Sequence, residues 1–93
     1  MASEQADLMV QEMANYLKKR RISMKISMNA LSVSSGLDRA ALHRAESGDR
    51  IPSLPFWVDW ADTLGSSLED VVAEARKVVK KPAGKPPKPK PLF

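Results

Sequence analysis

The chain has 93 residues, of which 43% are hydrophobic, 28% charged and 5% aromatic, with a formal net charge of +4; this is enough for one small globular domain with a tail and excludes a multidomain enzyme. With no cysteine and a single histidine, disulfides, thiolate nucleophiles and cysteine-built zinc sites are excluded, no metal or other cofactor is expected, and a reducing, cytoplasmic compartment is predicted. No apolar run approaches the roughly 20 residues that cross a bilayer, and the opening Met1-Ala2-Ser3-Glu4-Gln5 is too polar and acidic for a signal peptide.

The elements follow in order. Between Ser3 and Arg21, Ala6, Met9, Val10, Met13, Ala14 and Leu17 recur at three- and four-residue spacing, which predicts an amphipathic helix over about residues 4–21 with Ser3 as its N-cap. After a connector, Ile22 to Ile26, Ser27 is placed to cap a short helix over residues 28–35, and Gly36 to close it in the left-handed conformation that glycine tolerates best. Asp38 is the next cap; Arg39 to Glu46 are predicted helical, with Leu42 and Ala45 inward, and Ser47-Gly48-Asp49-Arg50 forms a turn. Pro52-Ser53-Leu54-Pro55 opens a fourth helix rich in aromatics (Phe56, Trp57, Trp60), with Ala61 and Leu64 on the same side and Gly65 at its end. These rings are read as core, although so small a domain could leave one tryptophan for a dimer interface. Ser67 caps a last helix through Leu68, Val71, Val72, Ala75 and Val79, with Asp70 as the short-armed member of a capping box.

Charge is unevenly distributed along these elements: −3 over residues 1–17, +5 over 18–50, −4 over 51–76 and +6 over 77–93. One basic segment between two acidic ones suits a domain that turns one face to a polyanion. Beyond Lys81 five of the seven prolines lie among lysines, a composition that cannot bury a core. The expected organisation is therefore an all-α, compact five-helix domain over residues 4–79 and a disordered Lys/Pro-rich tail over 80–93. For the tail three roles stand open: a solubilising end, nonspecific attraction to DNA through Lys85, Lys88 and Lys90, or recognition by a partner protein with Leu92-Phe93 as an apolar tip.

The stretch from Ile26 to Ser53 resembles the Cro/repressor (Xre-type) helix-turn-helix family. A short helix, Gly36, an apolar Leu37, a cap at Asp38, a recognition helix ending in Glu46-Ser47-Gly48, then a turn and Pro52-Ser53 follow the family rhythm without a gap, and Thr63-Leu64-Gly65-Ser66-Ser67-Leu68 nearly matches its downstream ending. The likeness extends over about residues 8–74. It implies that Arg39, Ala40, His43 and Arg44 read bases, and that Glu46 pairs with Arg21 at the end of the first helix and locks it to the recognition helix. The family often carries a basic residue where this chain has Asp49, larger aliphatics where it has Ala45, and alanines where it has Ser32 and Ser35; Met24, Met28 or Trp57 are candidates to fill the volume.

Physical chemistry gives these positions a use of their own. An α-helix fits the roughly 12 Å major groove; arginine takes guanine O6 and N7 bidentately, and alanine meets the thymine methyl. Arg39 and His43 lie four residues apart and share a face, although a histidine at such a position is more often a plain exposed helix residue than a base reader. The Ser27 and Met28 backbone at a helix N-terminus and the Arg50 side chain are the phosphate candidates. In the run Lys18-Lys19-Arg20-Arg21, all but Arg21 are expected to be solvated or near a phosphate. Neither a nucleophile elbow nor any other catalytic constellation is present, so no enzyme is expected. The resulting expectation is a sequence-specific transcriptional regulator, a repressor that binds an inverted-repeat operator as a homodimer in the cytoplasm, nucleoid-associated when on DNA and without contact to membranes. The alternative is a protein-interaction module, such as a toxin-neutralising antitoxin or an adaptor that also autoregulates its operon.

Overall fold

Every helix begins at a side-chain oxygen that accepts from the backbone N–H three residues on: Ser3 from Ala6, Ser27 from Ala30, Asp38 from Ala41, Ser53 from Phe56 and Ser67 from Asp70. Each such cap satisfies one of the donors a helix leaves free at its start. In the computed structural model, which describes residues 3–80, they launch α1 (Glu4–Ser23), α2 (Met28–Ser35), α3 (Arg39–Ser47), α4 (Leu54–Thr63) and α5 (Leu68–Val78), with no strand among the described residues. The protein is all-α, as its periodicities predict. The expectations for residues 81–93, including those for Lys85, Lys88 and Lys90, lie outside the described residues.

Packing follows from the apolar stripes. α1 lies against α5 and α3, α2 against α3 and α4, and α4 against α5. Each helix sends at least one side chain to full burial: Leu17 from α1, Leu31 from α2, Leu42 from α3, Trp60 from α4 and Val71 from α5, joined by Leu64 at the end of α4. Truncating any of these leucines to alanine leaves a cavity at a cost of about 2–5 kcal/mol.

Several details differ from what the sequence predicts. α1 continues two residues past Arg21, because neither glycine nor proline stops it there; the chain turns only where Lys25 adopts a left-handed φ of 59°. Ala6 and Val72, expected inward, are exposed. Trp57 and Trp60 are both buried and stacked with centroids 5.2 Å apart, so neither tryptophan is available for a dimer interface. Of the candidate volume-fillers, Trp57 is buried, Met28 packs partly buried against the core and Met24 is exposed. Asp70 supplies no bond back to the Ser67 N–H; its carboxylate arm is one methylene shorter than glutamate's, and only half of the capping box forms.

Arg20 also has a different role from the expected one. Its Nε donates to Leu64 O at 2.6 Å and its Nη2 to Gly65 O at 3.0 Å. A side chain of α1 thus satisfies carbonyls that the end of α4 leaves without an intrahelical partner.

Candidate nucleic-acid interface

The turn that sets α3 against α2 is held by hydrogen bonds that begin with serines. Gly36 ends α2 at φ 76° and its N–H donates to Ser32 O. Ser32 Oγ then donates to Leu37 O at 2.6 Å, while Leu37 N donates to Ser35 Oγ at 3.1 Å. These two serines, which look like packing departures in the sequence, pin both backbone groups of Leu37 as its side chain packs against the core. The signal is present in the sequence, since serines beside a glycine turn commonly bond nearby backbone. Asp38 then caps α3 through Oδ2, which accepts from Ala41 N at 3.0 Å.

On α3 the two sides differ sharply. Ala41, Leu42 and Ala45 are buried, whereas Arg39, Ala40, His43 and Arg44 are exposed and line one open cleft with Asp38. No ion pair or hydrogen bond engages the side chains of Arg39, His43 or Arg44 among the described residues. Two guanidinium groups and an imidazole thus stand on the exposed side of a helix with their donors free for an external acceptor, the arrangement that major-groove readout uses.

Behind this face, Arg21 joins three segments. Its Nε donates to Glu46 Oε2 at 2.6 Å, its Nη2 to Glu46 Oε1 at 3.0 Å, and its Nη1 to Ile26 O at 2.8 Å. The end of α1, the connector before α2 and the end of α3 are tied to one planar fork. The side chains are 15% and 6% exposed for Arg21 and Glu46 respectively. The hydrogen bond to Glu46 raises the Arg21 guanidinium above its ordinary value, against the effect of burial, so this partner is charged at every pH at which proteins fold.

The phosphate candidates fall on two segments. At the start of α2, Ser27 is exposed, its Oγ accepting from Ala30 N, and Met28 is half-buried with its side chain on the core. Arg50 lies in the turn after α3, exposed, with Cζ 5.7 Å from the centroid of the Phe56 ring. Among the described residues no cluster of His, Cys, Asp and Glu could hold a metal ion, and no helix is long and apolar enough to cross a membrane.

A family model described as Helix-turn-helix matches residues 17–71, more than half of the chain, and takes in the end of α1, all of α2 to α4 and the start of α5. No curated protein and no solved structure matches the chain.

Proposed function

Because the chain belongs to the Cro/repressor (Xre-type) helix-turn-helix family and is by that membership a DNA-binding regulator, we propose that it represses transcription by binding an inverted-repeat operator as a homodimer. The observation that carries this reading is the outer face of α3, where Arg39, Ala40, His43 and Arg44 are exposed together and, among the described residues, the side chains of Arg39, His43 and Arg44 have no ion-pair or hydrogen-bond partner. Arginine donors at the start and middle of a groove-sized helix discriminate guanine, and Ala40 offers an apolar contact to thymine. Ser27, the Met28 N–H and Arg50 take phosphates, which fix the register without reading sequence. Dimerisation has support in Ile51 and Leu54, each 64% exposed at the turn into α4, since large exposed apolar side chains three positions apart in the chain favour contact with another protein surface. A symmetric pair of recognition helices then demands a symmetric site. The protein acts by occupying DNA, not by chemistry on it, and in the cell it associates with the nucleoid.

Selection of bound duplexes from a random pool tests the proposal. Enrichment of a dyad with G·C pairs at fixed positions in each half supports it. Failure to enrich any sequence, together with recovery of a stoichiometric protein partner, would assign the domain to protein interaction instead.

A further inference from the structure

Arg50 is exposed, yet among the described residues no carboxylate pairs with it and no hydrogen bond engages its guanidinium. Its neighbour is an aromatic ring. The Cζ to centroid distance of 5.7 Å to Phe56 lies within cation–π range. That ring is itself held in place. Phe56 is 9% exposed and meets Trp60 edge-on, with centroids 6.0 Å apart and planes at 86°, and Trp60 stacks on Trp57 at 5.2 Å and 18°. A series of aromatic contacts therefore leads from the fully buried Trp60 to a cation at the surface. A ring fixed by the core cannot follow a mobile arginine, so it is the arginine that becomes localised.

We propose that Phe56 is a positioning residue for DNA binding, a platform that holds Arg50 as a preset phosphate clamp. The proposal rests on the reading of Arg50 as a phosphate contact. A guanidinium over a ring face keeps its N–H donors free in its own plane, where a phosphate can take two of them. The rotamer freedom that a long side chain gives up on binding is then already restricted in the free protein. Trp57 and Trp60 serve this clamp indirectly, by fixing the ring.

The test uses the full chain and a 20-bp duplex of one mixed sequence, so it needs no known operator. Binding is titrated at several NaCl concentrations, and folding is checked by circular dichroism. Arg50→Ala should make the slope of log K against log [NaCl] shallower by about 0.9, the value for one phosphate fewer neutralised. Phe56→Leu should weaken binding about two- to fivefold; in that background Arg50→Ala should have a clearly smaller effect than in the parent, and Phe56→Tyr, which keeps a ring face, should restore the parent behaviour. If Phe56→Leu does not hold the fold, Phe56→Met replaces it. Independently of any variant, the Arg50 side-chain protons in the free protein should show upfield ring-current shifts in the NMR spectrum. An unchanged salt slope in Arg50→Ala removes Arg50 from the phosphate-binding set and the clamp with it. A changed slope with an Arg50→Ala effect that is undiminished in Phe56→Leu overturns the platform alone and leaves Arg50 a phosphate ligand. Unshifted Arg50 protons also overturn it.

Discussion

Arg21 and Glu46 form a bidentate pair with little exposure, and the value of such a pair lies less in its attraction than in the cost of breaking it. Removing one partner leaves the other charge desolvated and unpaired, so Glu46→Ala and Arg21→Ala should each cost about 3 kcal/mol. Arg21→Ala should cost more of the two, since it also frees Ile26 O. The double variant should be less destabilised than the sum of the two single effects; thermal melts of the three proteins decide, and strict additivity would mean that the residues act independently. On the outer face the consequence is different. Arg44→Ala should leave the melt nearly unchanged, because its side chain bonds nothing among the described residues, but should lose about 1–3 kcal/mol on the selected operator and much less on random DNA. Competition titrations on both DNAs read the ratio, and undiminished specificity would show that another face of α3 enters the groove.

At the scale of elements, helix existence is legible in the sequence and helix ends less so. Serine or aspartate caps and glycine stops are local signals, and the starts of α2, α3 and α5 follow directly from Ser27, Asp38 and Ser67. The end of α1 has no such signal, so the apolar period alone predicts an end at Arg21 while the helix runs to Ser23. The outer face of α3 is equally legible, because a 3.6-residue period separates Leu42 and Ala45 from Arg39, Ala40, His43 and Arg44. What the sequence does not reveal are pairings in space between residues far apart or in different segments: Arg20 on the carbonyls of Leu64 and Gly65, and Arg50 on Phe56. A lysine/arginine run shows that charge is present but not which neighbour in space takes each member. The structure therefore separates Arg20 from the phosphate candidates. Arg20→Ala should lower stability by about 1.5–3 kcal/mol, through removal of two charge-assisted hydrogen bonds at the end of α4. The salt dependence of DNA binding should stay as it was, and a shallower slope in this variant would return Arg20 to the DNA surface.

For the whole molecule the decisive quantity is where charge sits. The basic segment of residues 18–50 carries α2, α3 and the turn with Arg50, and the acidic segments carry the first part of α1 and most of α4 and α5. Such a polarity should orient the domain on a polyanion before any specific contact forms. For the lysines beyond Lys81 we propose, of the three roles open to them, a second, unspecific attraction to DNA. Truncation after Lys81 should weaken operator and random DNA by similar factors and make the salt slope shallower by up to about 0.9 for each phosphate no longer neutralised, while the specificity ratio survives; an unchanged slope would favour a protein partner for these residues. The proposed repressor needs two recognition helices meeting one duplex, and hydroxyl-radical footprinting on a selected duplex tests that most directly. A symmetric dimer should protect two half-sites related by a dyad, their centres about 10 bp apart on one face of the DNA. A single asymmetric half-site bound by a monomer, or protection without any fixed position, would contradict a homodimer on an inverted repeat.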